Sequence, residues 1–393
     1  MKKVILLVAV ILLCGMQIKQ AIAQNKPKTS TTGANVITTG VPFLTIAPDS
    51  RAGAMGDAGV ATTPDVNSQH WNPAKYAFIE SDMGLALSYT PWLRNLVQDI
   101  NLAYLAGYKR LDDQQTLSAS LRYLTLGDIT FMSDLGEELG QQNPNEFAID
   151  FAYTRLLSEK FSGAIAFRYI RSDLTGGQLV GGVETHAGNT FSSDIAFYYQ
   201  NEMRVNRKRS HIAAGINLSN IGGKISYTDG ETKDFIPANM RLGVSYTTEM
   251  DRYNTITFAL DANKLLVPTP VRTSDTANVD IITGLGASKS VVSGIFSSFS
   301  DAPGGLSEEL KEITLSLGAE YWYNKQFALR AGYFYEDASK GNRKFFTAGA
   351  GLKMNVFALD FSYLLPVAQN NPLANTLRFT LSFDFEAFNK QRR

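Results

Sequence analysis

The sequence predicts an all-β protein, a fourteen-stranded antiparallel transmembrane β-barrel with an N-terminal hatch in its lumen. Three observations carry that prediction. Large apolar residues alternate with small or polar ones from Met83 to the C-terminus; the connections between these segments alternate short and long; and a Gly/Ala-rich stretch without alternation precedes them. The 393 residues are 44% hydrophobic and 11% aromatic, too apolar for a disordered chain. Lys and Arg (37) balance Asp and Glu (37), which argues against a nucleic-acid binder. A mean hydropathy of −0.10 and the lack of a second run of ~18 apolar residues exclude a helical membrane bundle.

The first residues read as an address. Met1-Lys2-Lys3 is a basic start, Val4 to Cys14 an apolar run, and Ala21-Ile22-Ala23 a small-x-small cleavage site, so residues 1–23 are expected to be a signal peptide. A lipoprotein reading of Cys14 is disfavoured by Leu13 before it, where a small side chain is wanted. Cleavage after Ala23 removes the one cysteine of the chain, and with it disulfide, thiolate and cysteine–metal chemistry. It leaves 34 basic against 37 acidic residues.

Period-two alternation marks a strand whose two faces meet different surroundings. Leu117, Leu121 and Tyr123 alternate with Ser118, Ser120 and Arg122; Phe147, Ile149, Phe151 and Tyr153 with Ala148, Asp150, Ala152 and Thr154; Leu377, Phe379, Leu381 and Phe383 with Arg378, Thr380, Ser382 and Asp384. Strands are expected near 83–92, 98–109, 115–126, 146–156, 161–171, 190–200, 210–219, 238–248, 254–264, 312–323, 326–336, 344–354, 356–365 and 376–386. A soluble β-sandwich also alternates, but its solvent face should be densely charged. Here the small face is mostly Gly, Ala, Ser and Thr with about one charge per strand. Strands of ~10 residues suit a tilted bilayer crossing, and the Tyr-rich strand ends suit interfacial girdles.

Loop lengths agree. Connections after even strands are short (111–114, 157–160, 324–325), with 201–209 the longest of them. Those after odd strands are mostly long (127–145, 172–189, 220–237, 265–311, 366–375). Outer-membrane barrels keep short turns in the periplasm and long loops outside. An even strand number then predicts that both termini are periplasmic. The expected organisation is signal peptide 1–23, disordered segment 24–35, hatch 36–82, barrel 83–386 with the long external loop 265–311, and periplasmic tail 387–393.

The stretch Pro48-Asp49-Ser50-Arg51-Ala52-Gly53-Ala54-Met55-Gly56-Asp57-Ala58-Gly59-Val60-Ala61, followed by Trp71-Asn72-Pro73-Ala74, is rich in residues that let backbone pack closely. A fourteen-stranded lumen is too wide for wall side chains to fill, so this segment is read as its plug. With Asp49, Arg51, Gly56, Asp57, Gly59, Trp71, Asn72 and Pro73 as its signature, it resembles the PorV family of the Bacteroidetes type IX secretion system and relatives such as PorQ. These belong to the FadL-like barrel superfamily, whose hatch carries Asn-Pro-Ala-Gly; here Lys75 stands at the glycine position.

The resemblance implies a secretion role. Such proteins bind the C-terminal signal domain of cargo released from a large translocon barrel (SprA/Sov type). They then shuttle it to a sortase-like attachment complex (PorU, PorQ, PorZ type), which joins it to lipopolysaccharide. It implies no cofactor, no metal and no bond-making chemistry. Two rivals are a FadL-like channel for hydrophobic molecules and a lipopolysaccharide deacylase.

In the long external loop, Val292, Ile295, Phe296 and Phe299 fall at i, i+3, i+4 and i+7, one face of a short helix. That face either docks cargo or translocon or packs on the barrel mouth. A deacylase would need Ser and His within reach, and His70, His186 and His211 make no visible pair with one. Arg122, Asp150, Arg168, Asp194, Arg241, Asp261, Glu320, Arg330, Asp360, Arg378 and Asp384 fall on the small face. They read as a network bracing wall against hatch, with a transport path as the alternative. Arg204 to Arg209 reads as a solvated basic hairpin.

Overall fold

The computed structural model describes residues 35–97, 99–132, 138–180, 182–230, 233–274, 280–283, 289–368 and 371–385. The signal peptide, the segment 24–34 and the tail 387–393 lie outside the described residues. Fourteen strands close into one antiparallel barrel. They are β1 (Met83–Pro91), β2 (Asn101–Arg110), β3 (Gln115–Thr125), β4 (Asn145–Ser158), β5 (Phe161–Asp173), β6 (Gly188–Val205) and β7 (Lys208–Gly222). They continue as β8 (Asn239–Glu249), β9 (Asn254–Leu265), β10 (Thr314–Tyr323), β11 (Phe327–Tyr335), β12 (Lys344–Lys353), β13 (Phe357–Pro366) and β14 (Leu377–Asp384). Each strand pairs with its sequence neighbour, and β1 closes on β14 with Leu85 opposite Phe383 and Tyr89 opposite Phe379. Closure removes every sheet edge, which is what hydrocarbon demands of a β structure.

The alternation read from sequence is the alternation of faces. The outward set includes Leu117, Leu121, Tyr123, Phe151, Phe167, Phe191 and Phe379, all exposed to the barrel exterior, while Ser118, Ser120, Arg122, Asp150, Ala152 and Thr380 are buried inside. In water that outer belt would be costly; against acyl chains it is at home.

Two turns explain themselves locally. β6 and β7 run on to Val205 and Lys208, so the basic 204–209 stretch is a tight hairpin rather than a loop, with Asn206 and Arg207 at φ 51° and 67°. Asn324 and Lys325 between β10 and β11 repeat the pattern at 52° and 55°. Two consecutive positive φ values match the twist of a two-residue hairpin, and Asn tolerates the first of them well. The long connections carry structure that alternation did not announce. Small hairpins pair 129–132 with 138–142, 179–180 with 183–184 and 271–274 with 280–283. Two short helices, α3 (Val291–Ser297) and α4 (Leu306–Lys311), sit in the connection from β9 to β10.

Residues 35–82 run lengthwise through the lumen. At one end Asn35 donates to Ser339 O (2.7 Å), and Gly40 N donates to Phe235 O (2.9 Å); both partners lie in long connections. There Val41, Phe43 and Leu44 pack with Leu102, Leu124 and Ile170. At the other end Glu80 O accepts from Arg110 Nη1 (3.0 Å) and Asp82 O from Arg110 N (2.8 Å), beside the short 111–114 turn. Counting strands locates the start of β1 and the end of β14 at the short-turn end. The hatch carries the preceding chain to the opposite end.

Candidate functional site

Two regions of the molecule are built from charged and small residues with unusual care: the hatch–wall interface and the cap over the long-connection end.

In the hatch, Asp49 ends an extended segment and caps the one-turn helix α1 (Ser50–Gly53), its Oδ2 accepting from Ala52 N (3.0 Å). Its other oxygen accepts from Trp71 Nε1 at 2.6 Å, tying the two motif blocks together. Trp71 closes helix α2 (Ser68–Trp71), and Asn72 begins the 3-10 turn Pro73–Phe78. Asn72 Oδ1 accepts from Ala74 N (3.0 Å), while its amide donates to Val60 O (3.2 Å) and to Phe197 O on β6 (3.0 Å). Pro73 at the first helical position needs no N–H partner, and its carbonyl accepts from Thr154 Oγ1 (2.9 Å).

Lys75 is fully buried. Its Nζ donates to Gly59 O (2.9 Å) and Thr62 Oγ1 (3.0 Å), so it staples the two halves of the hatch.

Arg51 forms the centre of the bracing network. It donates to both oxygens of Glu320 on β10 (2.9 and 2.8 Å), to Asp65 (2.8 Å) and to Thr63. Glu320 also accepts from Arg330 on β11 (2.7 Å), and Arg330 reaches Asp360 on β13 (2.6 Å). A second set sits across the lumen, with Arg168 paired to Asp150 (2.5 Å) and Asp194 (3.1 Å) and bonded to Asn220. Arg122 donates to Phe43 O, Leu44 O and His70 Nδ1, and Arg241 to His70 O. Asp261 on β9 accepts from Gly59 N (2.7 Å) and Val60 N (2.9 Å). Asp57 lies 3.8 Å from Arg378 on β14.

Gly56, at φ +68°, rests on the wall backbone: a Cβ there would stand 2.7 Å from Tyr333 N and 2.8 Å from Leu317 O. All eight signature residues therefore hold hatch to hatch or hatch to wall. The wall charges named from the sequence are largely consumed in the same bracing.

The cap is organised the other way round. Helix α3 starts at Ser290, whose side chain accepts from Ser293 N, and it lays Gly294 against the Phe235 ring and Pro268. Gly294 and Ser298 are buried, whereas Val292, Phe296 and Phe299 are 64%, 73% and 47% exposed and Ile295 half-buried. The helix ends at Ser297, so Phe299 continues its face from the following turn. Helix α4 turns its acids inward and its leucines outward. Leu306 and Leu310 are both exposed, while Glu308, Glu309 and Glu312 are buried. Lys264 on β9 pairs with Glu309 (3.0 Å) and Glu312 (2.6 Å); Lys340 pairs with Glu308 (2.7 Å) and Glu312 (3.0 Å). Thr269 and Asn35 complete the cluster on Glu312 and Glu308. The sequence reading missed this cluster, because acids and leucines on opposite sides of a short helix look like an ordinary solvent face and core face. The available signal was Lys264, a cation on the small face at the end of β9.

The histidines form no nucleophilic pair. His186 approaches Asp229 (3.4 Å), His211 faces Gln200 (3.0 Å), and His70 is held by arginines. Serine is not among these partners. No group of three metal-ligating side chains occurs among the described residues.

A closed fourteen-stranded barrel with an apolar outer belt, plugged by its own N-terminal segment, has the architecture of an outer-membrane barrel. The toluene transporter TodX of Pseudomonas putida matches it with a TM-score of 0.51 at 11% identity, over 85% of this chain and 97% of that one. The toluene transporter TbuX of Ralstonia pickettii (TM-score 0.43, 12% identity, 86% and 96% covered) and a FadL homologue of Pseudomonas aeruginosa (0.43, 10%, 90% and 100%) also match. At such identities the likeness is one of fold. No curated protein matches the sequence. The family model for type IX secretion system protein PorV matches residues 29–272, most of the chain. The protein belongs to the PorV family, and is an outer-membrane component of type IX secretion.

Proposed function

We propose that this barrel is a cargo-binding shuttle. It takes the C-terminal signal domain of a secreted protein from the translocon barrel and presents it to the sortase-like attachment complex, making and breaking no bonds itself. Beyond family membership, the observation that carries the reading is the apolar face Val292, Ile295, Phe296 and Phe299, with Leu306 and Leu310 beside it, turned away from the barrel. Exposed apolar patches on a rigid support mark partner sites. Here the support is rigid, because five buried charges fix α4 from beneath. Packing on the barrel mouth, the other reading of this face, is instead the role of Gly294 and Ser298.

A FadL-like channel fits less well. The lumen is crossed by the Arg51–Glu320–Arg330 and Asp150–Arg168–Asp194 networks, which offer a hydrophobic passenger little apolar surface at these levels. The test is affinity capture from cells that secrete cargo, comparing wild type with Val292→Ser/Phe296→Ser/Phe299→Ser. Loss of cargo and translocon from the eluate, with the barrel still folded, is expected. Recovery of both at wild-type yield would sink the docking assignment, and a hydrophobic small molecule in place of cargo would favour the channel.

A further inference from the structure

The route of the hatch begins at a definite end of the barrel. Asn35 is 2% exposed and fixed by three hydrogen bonds. Its N–H donates to Ser339 O (2.7 Å), and its amide donates to Pro270 O (3.1 Å) and Glu308 Oε1 (3.0 Å). Ser339 lies between β11 and β12; Pro270 and Glu308 lie between β9 and β10. Both connections follow odd strands, so both belong to the end that carries the long loops. The same end receives Gly40, bonded to Phe235 in the connection after β7. From there the chain descends through Arg51 and Asn72 and leaves beside the short 111–114 turn, where β1 begins.

We propose that the hatch enters the barrel from outside the cell, with Asn35 and Val36 at the cell-surface end beside the cap. The physical argument has two parts. Long connections face outward and short turns face the periplasm in barrels of this kind. Below that end the hatch itself fills the lumen, where Ala54, Met55, Ala58, Val60 and Ala74 are all fully buried. Strand parity predicts that both termini are periplasmic; on this proposal the hatch begins at the opposite, outer end. Asn35 also links the segment to the cap mechanically, since its partner Glu308 belongs to α4.

Cleavage after Ala23 leaves a cysteine-free chain, which makes site-directed labelling clean. Single cysteines are placed at Val36 (41% exposed), at Thr31 upstream, at Leu179 in a long connection (71% exposed) as outer control, and at Asp113 in a short turn as periplasmic control. Intact cells are treated with a membrane-impermeant maleimide, before and after permeabilising the outer membrane, with heat-modifiable gel mobility confirming folded barrels. Expected is labelling of Val36→Cys or Thr31→Cys together with Leu179→Cys in intact cells, and of Asp113→Cys after permeabilisation alone. Protection of both N-terminal cysteines in intact cells, while Leu179→Cys is labelled, would overturn the proposal. So would labelling of Asp113→Cys from outside. Cargo capture plays no part in the readout, so the shuttle reading and this topology stand or fall separately.

Discussion

The hatch and the cap invert each other. The hatch is small and polar in sequence yet largely buried: Ser50, Ser68, Gln69, Asn72 and Lys75 are at or near zero exposure, each with a hydrogen-bonding partner. The cap helices carry phenylalanine, valine and leucine, and these face out. In a soluble domain the assignments would be exchanged. A barrel lumen is a polar interior, where a plug gains most by satisfying donors and acceptors of the wall, and each unsatisfied group would cost about 1–3 kcal/mol. Outside the lumen, an apolar residue kept exposed on a braced support gains nothing until a partner covers it. The difference separates residues that hold the protein together from those available to other proteins.

That contrast can be broken experimentally. The largest effect is expected from Glu320→Ala, which strips Arg51 and Arg330 of their shared carboxylate. Unpairing buried charge costs on the order of 3–5 kcal/mol, and a lower midpoint for heat-modified gel mobility, with earlier proteolysis of the hatch, is the measurement. Gly56→Ala should follow, at about 1–3 kcal/mol, because the methyl meets β11 backbone at 2.7 Å and the φ of +68° disfavours it. A midpoint equal to wild type would show that the hatch does not rest on the wall there.

The smallest effect belongs to the cap. Val292→Ser/Phe296→Ser/Phe299→Ser should move the same midpoint by no more than about 0.5 kcal/mol, while abolishing partner capture.

Much of this was legible in the sequence, for a definable reason. A strand's side chains alternate by geometry, so the lipid-facing and lumen-facing sets separate by simple parity, and Phe379 and Arg378 announced their opposite surroundings. The hatch signature was likewise visible as a run of glycine, alanine and charge. Its partners were not. Nothing local connects Arg51 to Glu320, 269 residues away, or Trp71 to Asp49. Period two also says nothing about α4, whose polar side is the buried one because Lys264 arrives from β9 and Lys340 from the connection between β11 and β12.

The sequence by itself determined that the chain forms a closed wall with an apolar outside, and that a small-residue segment fills it, because both follow from the size and spacing of neighbouring side chains. Which charge meets which, which face of the cap helix stays bare, and at which end of the tube the hatch begins were decided by tertiary structure alone. Each depends on groups brought together across the lumen by barrel closure, and no local pattern encodes that distance.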